Sequence, residues 1–119
     1  MDASQITDWV EGYRRAWASN DPADIGRLFS DQAEYYTAPF RQPWRGRDAI
    51  VAGWIERQDA PGTYTFAYDV LGLFDDVGVV RGRTEYPGQK PPVYHNLWLI
   101  RLDKSGRCTS FTEWWMAEV

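Results

Sequence analysis

The order of hydrophobic patterns predicts an α+β fold, a strongly curved antiparallel sheet carrying its helices on one face. Three observations predict it. Helical spacing of apolar residues is confined to the first 60 residues, strand-like runs fill the chain from Thr63 onward, and the turns between those runs are too short for crossover helices. The same order makes residues 1–119 one domain, with no repeat, low-complexity tract or linker to mark a boundary.

Ile6, Trp9, Val10, Tyr13, Ala16 and Trp17 recur at three and four residue spacings, so Ser4–Ser19 is expected to be helical, with Ser4 as N-cap. Asp21-Pro22 then opens a second helix, an N-cap followed by proline at the first helical position. Ser30-Asp31-Gln32 reads as a turn and Ala33–Thr37 as a short strand. Pro39, Pro43 and Gly46 make the next stretch a loop, with a short extended piece at Trp44. A third helix runs from Arg47 to about Gln58 on an Ile50, Val51, Trp54 and Ile55 stripe, its propensity lowered by Gly53. Strands follow at Thr63–Phe74, Val79–Tyr86, Val93–Leu102 and Arg107–Val119. The last two are joined by Asp103-Lys104-Ser105-Gly106, a polar, Gly-containing hairpin turn.

Composition removes several function classes. A net charge of -4 with no basic run offers no face to nucleic-acid phosphates or an anionic membrane. No run of apolar residues is long enough to span a bilayer, and the N-terminus lacks the basic head and apolar stretch of a secretory signal; a cytoplasmic location is the expectation. One cysteine permits no intrachain disulfide and no cysteine-based zinc site, and neither a metal nor a cofactor is expected. The aromatic content of 16% is high for so short a chain, and such rings fill a large core or line a cavity.

Strand parity divides the closing hairpin. Tyr94, Asn96, Trp98 and Ile100 share one face, and His95, Leu97, Leu99 and Arg101 share the other. Arg81, Arg83, Glu85 and Arg101 alternate with apolar residues and read as cross-strand ion pairs on an outer face. Cys108 reads as a small packed residue.

Taken together, Trp9, Tyr13 and Trp17, Asp21-Pro22-Ala23-Asp24-Ile25, Leu28-Phe29-Ser30-Asp31, Pro39-Phe40, Trp44-Arg45-Gly46-Arg47-Asp48-Ala49-Ile50, Asn96-Leu97-Trp98, Ile100-Arg101-Leu102-Asp103 and Glu113-Trp114-Trp115 resemble the SnoaL-like branch of the NTF2-like superfamily. The resemblance implies an NTF2-like (cystatin-like) cone: a bent antiparallel sheet wrapped around the N-terminal helices, with a pocket at the open end and a homodimer through the convex face. The superfamily holds isomerases, cyclases, dehydratases and epoxide hydrolases, so the fold alone selects no reaction. Tyr13 matches the oxyanion-donating tyrosine of the ketosteroid isomerases by position. Their base is an acid before a proline, where this chain has Tyr35-Tyr36-Thr37-Ala38-Pro39, and their second donor is an acid where this chain has Trp98. The isomerase pattern is therefore incomplete here.

With Trp98 in the pocket-facing register, Tyr94, Asn96, Phe111, Glu113 and Trp115 also turn inward, and Thr112, Trp114 and Met116 turn outward. Glu113 and Tyr13 are then the candidate catalytic pair, Glu113 as an acid or base or, on the plainer reading, a rim carboxylate held by an arginine or tyrosine. Trp17, Tyr35, Thr37, Trp54, Tyr94, Asn96, Trp98, Phe111 and Trp115 are the candidate ligand-binding residues; tryptophans so placed are more often core than ligand platform, with about half of Trp17, Trp54, Trp98 and Trp115 expected to touch an open cavity, and the polar groups could satisfy one another or hold water. His95 falls on the outer face as an interface residue. Three functions remain: binding of a hydrophobic small molecule, an enzyme using Glu113 without a cofactor, and a structural module whose pocket is filled by its own side chains.

Overall fold

In the computed structural model, which describes residues 1–119, the chain forms α1 (Ala3–Ser19), α2 (Pro22–Gly26), β1 (Phe29–Tyr36), β2 (Trp44–Arg45), α3 (Arg47–Glu56), β3 (Thr65–Phe74), β4 (Val77–Glu85), β5 (Val93–Leu102) and β6 (Cys108–Ala117). The α+β class and the order of elements are those expected. Local chemistry sets the ends. Asp2, not Ser4, caps α1: its carboxylate accepts from the Gln5 N–H at 3.0 Å while the Gln5 side chain accepts from the Asp2 N–H at 2.8 Å, a reciprocal box that a cap at Ser4 lacks. Asp21 caps α2 as expected, accepting from Ala23 N–H at 2.8 Å. Asp75 and Asp76 both take positive φ, so the β3–β4 hairpin turns on these two residues alone and β4 begins at Val77 rather than Val79.

One six-stranded sheet runs in the order β2-β1-β6-β5-β4-β3. The β3 to β6 meander is antiparallel, but β1 lies parallel to β6, which corrects the expectation of a wholly antiparallel sheet. A hairpin forces its strands to be antiparallel. β1 and β6 are separated by α3 and the whole meander, so no turn dictates their direction. Ser30-Asp31-Gln32, expected as a turn, lies inside β1 instead. Its register against β6 shifts between Phe29 and Glu34, and the polar tripeptide occupies that irregular stretch.

The helices fill the concave side. Ile6, Trp9, Val10, Tyr13 and Ala16 of α1 are buried against Val80, Trp98, Ile100 and Phe111 of the sheet. Trp9 packs on Phe111 at 5.4 Å between ring centroids and donates its Nε1–H to Leu28 O at 2.9 Å, so the ring is buried without orphaning its nitrogen. Close docking of α1 on β4 depends on Gly78, where a Cβ would run into the Ile6 side chain. Cys108 is fully buried, and burial pushes its thiol up to about 12, an inert packed residue.

The outer face carries Leu71, Trp114 and Met116, all exposed. Its charges meet the cross-strand expectation only in part. Arg81 reaches Asp69 across to β3, Arg83 pairs with Glu85 along its own strand, and Arg101 makes no ion pair. No helix is long and apolar enough to cross a membrane.

Candidate functional site

The open end of the cone holds a cavity of about 370 Å³. Tyr13 and Trp17 of α1 form one side. Tyr35 and Thr37 at the end of β1, Trp44 of β2, and Trp54 of α3 form the next, and the short segment after α3 adds Arg57, Gln58 and Asp59. Thr84, Tyr86, Gln89, Tyr94, Asn96, Glu113 and Trp115 close it from the sheet side. Eight of these sixteen residues are Tyr or Trp and eight are polar; none is aliphatic.

Among the residues singled out from the sequence, Tyr13, Trp17, Tyr35, Thr37, Trp54, Tyr94, Asn96, Glu113 and Trp115 line the cavity. Trp98 and Phe111 do not. They face the same way but lie deeper, 1% and 0% exposed, as core beneath the floor. Trp115 stands at the rim, 59% exposed and edge-on to Tyr94 at 5.5 Å. Trp44, Arg57, Gln58, Asp59, Thr84, Tyr86 and Gln89 were not anticipated.

Glu113 is the centre of the floor. Trp98 Nε1–H donates to its Oε2 at 2.9 Å and Asn96 Nδ2–H donates to the same oxygen at 3.1 Å. Asn96 is itself oriented, because its Oδ1 accepts from the Thr84 hydroxyl at 2.8 Å, which leaves its NH₂ to face the carboxylate. Both donors converge on Oε2, so Oε1 has no protein partner. No buried side-chain oxygen in the molecule lacks a partner, and Oε1 therefore opens on the cavity. Burial raises the Glu113 pKa, the two donors work against that rise, and the charge of Asp59 adds to it. The carboxyl is a group held in place with one oxygen available and its proton affinity increased.

Above it, the hydroxyls of Tyr13 and Tyr35 meet at 3.1 Å. One hydroxyl hydrogen serves that bond, which leaves the other for a different acceptor. Burial, then the neighbouring Tyr35 and Glu113, raises the Tyr13 pKa far above the phenol range; burial and Glu113 do the same for Tyr35. The pair stays neutral at physiological pH and acts as a donor, not as a base.

Asp59 ties the rim. Its Oδ2 accepts from Trp17 Nε1–H and from the Tyr86 hydroxyl, each at 3.0 Å, and its backbone oxygen accepts from Asn20 Nδ2–H at 2.8 Å. Trp54 Nε1–H in turn reaches Asn20 Oδ1 at 3.3 Å. Trp17 is held from its other face by Tyr64, stacked at 4.0 Å and 13°. This network joins α1, the end of α3 and the segment after β4. Asp59 is also a second acid whose charge acts on Glu113. No group of three or more His, Cys, Asp or Glu side chains is gathered where it could hold a metal ion.

The model of the SnoaL-like domain matches residues 10–111, a span that runs from the middle of α1 through β5 to Phe111 in β6, two residues short of Glu113. The chain belongs to the SnoaL-like domain family. Solved structures agree on the NTF2-like, cystatin-like fold. An NTF2-like protein of unknown function from Burkholderia xenovorans superposes with a TM-score of 0.76 at 13% identity, over 100% of this chain and 88% of that one. A protein from Sphaerobacter thermophilus gives 0.73 at 22% identity, over 99% of both chains. A steroid delta-isomerase from Pseudomonas aeruginosa gives 0.66 at 15% identity, over 98% of this chain and 82% of that one. No curated protein sequence matches significantly. Identities this low establish the shared fold and leave the chemistry to the site of this SnoaL-like domain.

Proposed function

We propose that this SnoaL-like domain binds a ring-shaped small molecule in its open-end cavity and transfers a proton on it. Glu113 is the acid or base, and the Tyr13–Tyr35 pair donates a hydrogen bond to the charge that develops. The observation that carries this reading is the arrangement of Glu113: Oε2 is pinned by Trp98 and Asn96 while Oε1 faces about 370 Å³ of space. A rim carboxylate tied to an arginine would not have this geometry, and a cavity of that volume speaks against a module filled by its own tryptophans. The lining also revises the ligand. Thr84, Asn96 and Asp59 already have protein partners, but a purely hydrophobic molecule would leave Glu113 Oε1 and the Arg57 side chain unmatched, so the ligand carries polar groups on its rings.

A panel of ring compounds screened by tryptophan fluorescence, with every hit then assayed for turnover, tests the reading. Glu113→Gln keeps an oxygen for Trp98 and Asn96, so binding should persist within a few-fold while turnover falls by roughly 10²–10⁴. Equal turnover of every hit by wild type and variant removes the catalytic role.

We also propose that two copies pair through the outer face of the sheet, where Leu71, Trp114 and Met116 are 47%, 45% and 72% exposed. Sedimentation at micromolar concentration should show a dimer. A single species at 13.8 kDa would remove the pairing.

A further inference from the structure

Arg57 is the only basic residue lining the cavity. It follows the last residue of α3 at the mouth, where its guanidinium lies over the Trp44 ring, 5.6 Å from the centroid. Six other arginines, Arg14, Arg27, Arg45, Arg47, Arg81 and Arg83, are committed to carboxylates; Arg57 makes no ion pair and no side-chain hydrogen bond. Asp59, two residues on, has Oδ2 occupied by Trp17 and Tyr86. The positive charge of Arg57 nonetheless reaches into the cavity, where it partly offsets the rise in the Tyr35 pKa. A guanidinium held by an aromatic face keeps its in-plane N–H donors unspent, and two of them in parallel match a carboxylate.

The other pole of the cavity is an acceptor, Glu113 Oε1. Between the poles stand only Tyr and Trp rings and neutral or charged polar groups. Resting on the reading of this cavity as a ligand site, we propose that its ligand is a planar ring compound bearing a carboxylate. The carboxylate pairs with Arg57 at the mouth, the ring stacks among the tyrosines and tryptophans, and a hydroxyl or amine donates to Glu113 Oε1 at the floor. The net charge of -4 does not oppose this, because charges beyond about 8 Å are screened at physiological salt; of the two acids in the cavity, Asp59 has Oδ2 occupied by Trp17 and Tyr86 and Glu113 lies at the floor, which leaves Arg57 as the cation facing a carboxylate at the mouth.

The test compares a hydroxynaphthoate with the matching uncharged hydroxynaphthamide by calorimetry, on wild type, Arg57→Gln and Arg57→Lys. Wild type should prefer the carboxylate by about tenfold, the gain of a charge-assisted pair at a partly exposed site. Arg57→Gln should bind both probes with the affinity wild type has for the amide, and Arg57→Lys should keep part of the preference. Arg57 is exposed, so thermal unfolding of the variants should match wild type. A preference absent from wild type, or one that survives in Arg57→Gln, overturns the role of Arg57 and leaves the cavity as a ligand site. Failure of both probes to bind wild type counts against the cavity as a ligand site and so overturns both readings together, whereas binding of the naphthoate alone is the preference in its extreme form and supports the role of Arg57.

Discussion

Phe111 and Glu113 sit two residues apart on the same face of β6, and between them the molecule changes character. Phe111 belongs to the packed end of the cone: it is 0% exposed and touches Trp9, Tyr13, Tyr35 and Trp98. Glu113 belongs to the open end, where each ring has a polar handle and those of Tyr13, Trp17, Tyr35, Trp54 and Tyr86 have protein partners. β5 shows the same gradient, from Ile100 through Trp98 and Asn96 to Tyr94. The packed end uses shape, which is indifferent to pH. The open end uses directed hydrogen bonds around a carboxyl, and these respond to protonation and to ligands. One register thus supplies both a foundation and a site.

The largest effect should come from the packed end. Phe111→Ala removes a ring surrounded by four aromatic side chains, none of which can collapse into the gap without leaving its own contacts. The expected loss is about 3–5 kcal/mol of unfolding free energy in denaturant titrations. Because Phe111 lies under the floor, binding of ring compounds to the fraction still folded should weaken as well. A loss below about 1 kcal/mol would mean that the two ends are not divided as described.

Strand parity made much of this visible in the sequence. A period of two separates the faces whatever the tertiary fold, and the resemblance that sets Trp98 toward the pocket says which face is the inner one, so Glu113 reads as inward from the sequence. Depth along the cone axis has no such signature. Trp98 and Phe111 were expected at the ligand wall for that reason, and both are core. Arg57, Asp59, Tyr86 and Gln89 lie in irregular segments, where no periodicity says which side chain turns inward. Gly53 did leave a trace. It read only as a weak point in a helix, but a Cβ there would come within 2.6 Å of the Trp44 ring, so the glycine is the space that lets Trp44 join the cavity wall. The parallel pairing of β1 with β6 had no local signal, since it joins residues about 80 positions apart with no shared turn.

The smaller effect lies at the open end and is one of sign. Burial, reinforced by the charge of Asp59, raises the folded-state pKa of Glu113 above its unfolded value, despite the hydrogen bonds from Trp98 and Asn96. A carboxyl raised in this way carries no penalty below its unfolded pKa, where both states are protonated. As pH climbs past that value the unfolded chain releases its proton first, and stability falls until the folded pKa is passed; above it the penalty is constant. Glu113→Gln has nothing to titrate at this position and preserves an acceptor for both donors. The stability of the variant relative to wild type should therefore rise as pH climbs past the unfolded carboxyl value and level off once the raised folded value is passed, with the other carboxylates cancelling because they are common to both proteins. Chemical denaturation at a series of pH values, at fixed ionic strength, measures that difference. A flat difference would show that Glu113 is as well solvated in the cavity as in the unfolded chain. A falling one would show that the two hydrogen bonds outweigh burial, in which case Glu113 is a structural anchor and the open end is built on the same principle as the packed one.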